Sequence, residues 1–288
     1  MQMTVRAYAK INWSLDIVNR RADGYHEMNM LMQNVDLCDE ISFSPARFVT
    51  LEMNGRVIAG GSKNLIVRAA SALNGYMGEN HGMRIQLKKR IPVRAGLGGG
   101  SADCAAALIA LNELWRMRLP MKTLLSIGES LGADVPYCLT GGFSRVSGIG
   151  NALAPKDGAK AYPLLITLVG EGLSTQQVFG AFDEGGFPSL GLNVDALADA
   201  LSEGDLERAS SLSGNALEGP AIRLLPEIAD TIQKMRFSGA KFARMSGSGS
   251  AVYGVFETEE AAARAKPLFP NAILTKTVVG NVNLLSGI

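Results

Sequence analysis

The segment Pro92-Val93-Arg94-Ala95-Gly96-Leu97-Gly98-Gly99-Gly100-Ser101-Ala102-Asp103 sets four glycines between two patterned stretches, a composition suited to cradling phosphate. Before it, Met83, Ile85 and Leu87 alternate with Arg84, Gln86 and Lys88, as in a half-buried strand. After it, Cys104, Leu108, Leu111 and Trp115 recur at helical spacing, with no Gly or Pro before Pro120. The glycines thus fall on the amino-terminal turn of a helix, where backbone N–H groups lack partners and the peptide dipoles leave about half a positive charge. Glycine admits positive φ and removes the Cβ atoms that would hold a phosphate chain away from those donors. The segment is not G-x-x-x-x-G-K-[ST], because no Lys follows, and it is not G-x-G-x-x-G, because the last position falls on Ser101 or Asp103. On its own, such a run also suits a flexible hairpin or a tight strand-to-helix turn.

Two further residues could do chemistry with a bound phosphate. Lys10 lies inside an apolar amino-terminal strand pattern, and Asp134 stands just before Val135-Pro136. Taken singly, Lys10 reads as a strand-edge charge and Asp134 as a turn former ahead of proline. A late glycine-serine turn, Met245-Ser246-Gly247-Ser248-Gly249-Ser250, is a second tight backbone segment. Cys38, Cys104 and Cys138 are odd in number and form no C-x-x-C, so they read as core thiols rather than a disulfide framework or a zinc site. The two histidines, His26 and His81, do not suggest a histidine-rich metal site.

The elements that must position these groups follow from the patterning. The 288 residues suffice for two domains, and 47% are hydrophobic. With 28 Lys and Arg against 27 Asp and Glu, no global charge argues for nucleic acid or a membrane surface. No apolar run approaches a membrane span, and the amino terminus leads into a strand pattern rather than a signal core, so a cytoplasmic location is expected. Strands are expected at Ala7–Asn12, Leu15–Val18 and His26–Leu37, with Arg21-Ala22-Asp23-Gly24 as a hairpin turn. Met28, Met30 and Met32 alternate as a core face. Asn64 caps a helix through Leu73, and another helix runs from Leu124 to Leu131. An extended stretch then runs from Asp134 into Gly141-Gly142, and Lys156-Asp157-Gly158 reads as a boundary. Beyond it come a buried strand at Tyr162–Val169, helices at Thr175–Phe182, Val194–Leu212 and Ala221–Met235, and a strand at Ala251–Phe256. A helix capped by Thr258 and a closing strand at Ala272–Val279 follow. That order suggests an α/β sandwich with an antiparallel sheet.

The Lys-bearing strand, the P-x-x-x-G-L-x-x-x-[SA] loop and the late glycine loop together resemble the GHMP family of small-molecule kinases over nearly the whole chain. Ala9-Lys10-Ile11-Asn12, Asp23-Gly24-Tyr25-His26-Glu27, Gly96 to Ser101, Leu131-Gly132-Ala133-Asp134-Val135-Pro136 and Met245 to Gly249 are similar to the branch that phosphorylates a cytidine diphosphate-linked methylerythritol. The resemblance implies a two-domain α/β (α+β) fold: an ATP-binding domain at 1–158, like domain 2 of ribosomal protein S5, and a ferredoxin-like sandwich at 159–288. It leaves open whether the last strand returns to the first domain. It implies an ATP-dependent kinase of non-mevalonate isoprenoid synthesis that uses Mg²⁺, with Lys10 and Asp134 as the catalytic pair. The glycine loop, Ser246, Gly247, Ser248 and Gly249 would surround the phosphates, and Asn64, Leu65 and Lys89 would line an adenine pocket. Tyr25, His26 and Phe179 would clamp cytosine, while Asn12 and Thr175 would meet the methylerythritol and ribose. The family often has Ser where Ala102 stands and Pro where Ser250 stands. The Ala102 difference leaves the metal ligands unassigned.

Other enzymes of the same family, such as homoserine, mevalonate or galactose kinases or a related decarboxylase, are the first rival reading, and Gly24-Tyr25-His26 separates them. A silent sensor of ATP and a metabolite is the second, opposed by the presence of both Lys10 and Asp134. The expected partners are therefore ATP and a small molecule, with no nucleic acid or membrane, acting on a monomer or weak homodimer.

Overall fold

A computed structural model describes residues 2–58 and 63–279. Its first half is organised by two long antiparallel strands, β1 (Met3–Arg20) and β2 (His26–Pro45), joined by a turn in which Gly24 takes φ +86°. The sequence pattern suggests separate strands before and after Trp13. The chain instead keeps one strand with register shifts at Tyr8/Lys10, Asn12/Ser14 and Ile17/Asn19. Such irregularities re-aim single side chains without ending the ladder.

β3 (Val49–Met53), β4 (Arg56–Val57), α1 (Leu65–Met77) and β5 (Met83–Lys88) follow. Next come α2 (Gly99–Leu114), α3 (Met121–Leu131), α4 (Val135–Thr140), β6 (Phe143–Gly148) and β7 (Ala152–Pro155). The strands make one seven-stranded sheet in the order β4-β3-β5-β2-β6-β7, with β1 also paired to β2. Because β2 is long, β6 pairs with its first part and β5 with its last. Helix α2 is buried along most of its surface, from Ala102 to Leu108 and again at Ala110 and Leu111. A helix apolar on all sides belongs at the centre, and α2 packs on β1 with α1 and α4 beside it. The glycine run therefore opens onto a buried helix at the centre of this half.

The segment after Asp134 is helical rather than extended as the sequence suggests. Pro136 falls in the first turn of α4, where a fixed φ and a missing N–H are compatible with a helix. The methionine stripe divides: Met30 and Met32 are core, whereas Met28 is half-buried.

The second half contains β8 (Pro163–Leu168), α5 (Thr175–Gly185), α6 (Val194–Glu203), α7 (Leu206–Leu212), α8 (Glu218–Leu224) and α9 (Glu227–Phe237). β9 (Phe242–Met245), β10 (Ala251–Val255), α10 (Glu259–Ala265) and β11 (Ile273–Lys276) complete it. The long helical patterns are each split, by Gly204 at φ +87° and by Leu225-Pro226. The Thr258 side chain caps α10 by accepting the Ala261 N–H. The four strands form an antiparallel sheet in the order β11-β8-β10-β9. Just after β11, Thr277 bridges Val35, and the Val278 N–H donates to the Asn34 carbonyl 2.9 Å away.

Trp13 of β1 joins the two halves. Its ring lies 5.6 Å from Tyr162, 6.0 Å from Phe242 and 6.0 Å from Tyr253, all from the second half, while its indole N–H donates to Gln33 Oε1 at 2.9 Å. A fully buried indole needs such a partner to offset desolvation. Trp13→Ala should lower the unfolding free energy by about 3–5 kcal/mol. A urea titration checks this, and a loss under about 1 kcal/mol would remove Trp13 from the seam.

Candidate active site

A cleft of about 1040 Å³ runs between the glycine segment, the β1–β2 hairpin and α5. Its centre is the contact of two backbone turns. Gly96 and Gly98 take φ +75° and +69°, turning the chain so that α2 begins with Gly98 at its cap. The late turn lies against them: Ser246 Oγ donates to the Gly96 carbonyl at 3.0 Å, and the Ala251 N–H donates to the Ala95 carbonyl at 3.0 Å. A Cβ on Gly96 would stand 2.0 Å from the Ser246 carbonyl oxygen, so only glycine permits this approach. Asn215 fixes the late turn from beneath, its amide donating to the Met245 and Gly247 carbonyls at 2.9 and 2.8 Å.

Lys10 leaves β1 at a register shift and passes between these turns. Its N–H donates to the Leu97 carbonyl at 3.0 Å, its stem lies 3.0 Å from where a Cβ on Gly98 would stand, and its ammonium lies 3.2 Å from where one on Gly247 would stand. The ammonium donates to Asn12 Oδ1 at 2.7 Å and stands 3.8 Å from Asp134 Oδ2. Asp134 occupies the cap position of α4 yet makes no side-chain cap bond, so its carboxylate is left for Lys10 and the cleft. Opposite charges at that separation attract by roughly 4 kcal/mol at an effective dielectric near 20, less here because Asp134 is 34% exposed while Lys10 is 4% exposed. Asn12, expected to meet the acceptor, has its oxygen engaged by Lys10 and its amide 3.4 Å from Met30 Sδ.

At the other end, Tyr25 is 60% exposed beside the hairpin turn, its N–H donating to Asp23 Oδ1. His26 lies 5.0 Å from Phe179 between ring centroids. Thr175 opens α5, with its hydroxyl 3.0 Å from Ser248 Oγ, and Phe179 follows one turn later. Asn64 and Leu65 border the cleft at the start of α1, where Asn64 Oδ1 accepts the Ile66 N–H as a helix cap.

Lys89, expected beside adenine, borders the cleft but directs its ammonium elsewhere. It donates to Asp39 Oδ2 at 2.5 Å and Asp103 Oδ2 at 2.7 Å. Asp39 Oδ1 in turn accepts the N–H groups of Arg90 and Ile91. This buried trio ties β2, the segment entering the glycine turn and α2 together. One ammonium between two carboxylates leaves a surplus negative charge. Burial pushes the Asp103 carboxyl up to about 8, against the pull of Lys89 and with the push of Asp39. Asp39 and Asn215 lie in no motif, and Asp103 closes the glycine segment without a local sign that it pairs with Lys89. The buried thiol of Cys104 is pushed up to about 12, as suits a core residue.

Comparisons with known proteins bear on this geometry. The family described as GHMP kinases N terminal domain matches residues 64–142, and GHMP kinases C terminal matches residues 197–267. The chain is 38% identical, over 99% of its length and 100% of the relative, to a 4-diphosphocytidyl-2-C-methyl-D-erythritol kinase of Caldanaerobacter subterraneus subsp. tengcongensis. It is similar to a crystal structure of 4-(cytidine 5'-diphospho)-2C-methyl-D-erythritol kinase, with TM-score 0.82, 35% identity and coverage of 96% of this chain and 100% of that one. A homoserine kinase structure from Cytophaga hutchinsonii shares the fold at TM-score 0.68 and 21% identity, covering 97% of this chain and 95% of its own.

Gly96→Ala should disrupt the contact of the two turns, costing on the order of 2 kcal/mol or more through the clash and the positive φ. Thermal unfolding reads this, and an unchanged Tm would mean that the turns adjust. Asp103 binds its proton more tightly folded than unfolded. Its contribution to stability is therefore complete below about pH 4 and lost as pH rises toward about 8. Asp103→Asn should flatten the stability profile in that window. An unaltered slope would show that the surplus charge is carried elsewhere.

Proposed function

The chain belongs to the GHMP kinase family, in its 4-diphosphocytidyl-2-C-methyl-D-erythritol kinase branch, and from that premise we propose that it transfers the γ-phosphoryl group of ATP to the 2-hydroxyl of 4-diphosphocytidyl-2-C-methyl-D-erythritol. The products are the 2-phosphate and ADP, a step of non-mevalonate isoprenoid precursor synthesis. The observation that carries the proposal is Lys10, held between two glycine turns and 3.8 Å from Asp134. Phosphoryl transfer relies on placement and charge stabilisation, with the attacking and leaving oxygens in line. The acceptor oxygen bonds to the γ-phosphorus as the bond to the departing ADP oxygen breaks. Asp134 orients the acceptor hydroxyl and takes its proton, aided by a carboxylate not committed to a helix cap. Lys10 holds Asp134 and offsets charge on the moving group, while backbone N–H groups at the start of α2 receive phosphate oxygens.

Among the described residues no cluster of three or more His, Cys, Asp or Glu is placed to hold a metal ion. Mg²⁺ prefers oxygen ligands, retains several waters and enters on ATP phosphates, so it needs few protein ligands. Ser101 and Asp134, both bordering the cleft, are the side chains that would meet it. When bound, the ion neutralises phosphate charge. The Gly24-Tyr25-His26 segment and Phe179 favour a cytidylyl acceptor over homoserine or mevalonate, since an aromatic edge of this kind suits a base. A monomer or weak homodimer is the expected state, and ATP as donor fits a cytoplasmic enzyme. Among the described residues no helix is long and apolar enough to cross a membrane.

ADP release from Mg-ATP, compared across the cytidylyl substrate, homoserine, mevalonate and galactose, should occur with the first alone. Saturable ATP binding without turnover on any of them would favour a sensor. Asp134→Asn should retain ATP binding and lose about 10²–10⁴-fold in kcat, and near-normal turnover would remove Asp134 from the chemistry. Tyr25→Ala should raise KM for the cytidylyl substrate with little change in KM for ATP.

A further inference from the structure

Asp183 enters neither the motifs nor the phosphate chemistry, yet it is the residue that holds His26. Its Oδ1 lies 2.8 Å from His26 Nε2, and its Oδ2 faces Arg20 Nη1 at 3.6 Å. Asp183 and Phe179 stand one turn apart on α5, so both meet the ring of His26. Phe179 covers its face at 5.0 Å between centroids, and Phe182 meets it edge-on at 6.0 Å. A ring gripped by face, edge and one nitrogen has little rotational freedom left. Its side chain is 9% exposed. His26 lines the cleft, and with Nε2 beside Asp183 its other nitrogen, Nδ1, has no hydrogen-bond partner among the described residues.

We propose that Asp183 is a specificity-determining positioning residue: by accepting the Nε2 proton of His26 it makes Nδ1 a hydrogen-bond acceptor facing the base site, which selects an amino-bearing pyrimidine edge over a carbonyl one. An ionised carboxylate only accepts, so Nε2 must carry the hydrogen, and in the neutral ring Nδ1 then keeps its lone pair. Cytosine presents an exocyclic amine that donates to such an atom, whereas uracil presents a carbonyl that opposes it. The inference rests on the cytidylyl reading above and adds the source of its preference for cytosine. Arg20, at the end of β1, faces the far oxygen of Asp183.

The tautomer is read directly from ¹⁵N imidazole shifts at pH 8 in the unaltered protein. It has two histidines, and a His81→Asn variant separates their signals. The expected result is a protonated Nε2 and a bare Nδ1 on His26; the opposite tautomer overturns the inference. Calorimetry with CDP and UDP as probes should show CDP bound about tenfold or more tighter, as loss of one buried hydrogen bond implies. Asp183→Ala should narrow the ratio to about threefold or less while leaving KM for ATP unchanged. Asp183→Asn, whose amide oxygen can still accept, should restore most of it. An undiminished ratio in Asp183→Ala overturns the inference. Failure of CDP to bind at all would instead overturn the cytidylyl reading on which it rests, so the two failures are distinct.

Discussion

The architecture depends on one close approach: the glycine turn before α2 and the late glycine-serine turn before β10 meet backbone to backbone, with Lys10 threaded between them. The geometry has no slack. A side chain on Gly96 would collide with the Ser246 carbonyl, one on Gly247 would press on the Gly96 carbonyl, and one on Gly98 would crowd the Lys10 stem. The ammonium is consequently fixed by exclusion as much as by attraction. Asn12 and Asp134 then set its direction within the space left to it. The cores of the two halves and the aromatic seam at Trp13 serve to hold this approach at constant distance.

Around it, groups are immobilised by partners far away in sequence. Asp39 receives two backbone N–H groups from the strand-to-turn segment and shares Lys89 with Asp103, so the glycine turn is tied down at both ends. Asn215 performs the equivalent service for the late turn. Both sets use buried polar groups, for which a lost partner is costly, and so they specify one loop conformation rather than a family of them. The hairpin end is held differently, by packing of His26 on Phe179 and by the Asp183 contact at the cleft rim.

The parts legible in sequence were those governed by near neighbours. Four glycines ahead of a helical pattern, an Asp-Gly turn between strands, Asn64 and Thr258 as caps, and the alternation of β5 all express local backbone preferences. Reading stopped where tertiary context decided. The stretch from Asp134 to Gly142 looked extended, yet Pro136 in a first turn is compatible with a helix. The gap around Trp13 looked like a strand end because bulges shift the alternation without breaking the ladder. Lys89 looked available to a nucleotide because nothing nearby marks Asp39 and Asp103 as its partners. Asp183 lies 157 residues from His26, beyond the reach of any pattern.

The contact between the two glycine turns also has a meaning for how the protein comes into being. Ser246 and Gly96 are 150 residues apart, and the strand that follows Ser246 pairs within the second sheet. On a ribosome, the first sheet and α2 emerge long before the late turn exists. The emerging half therefore carries the glycine segment without its partner turn, and a Trp13 still uncovered by Phe242 and Tyr253. Synthesis order thus makes closure of the seam and the bracing of the phosphate site a single late event, so that a chain ending before the late turn keeps Lys10 and Asp134 but lacks the contact that fixes them.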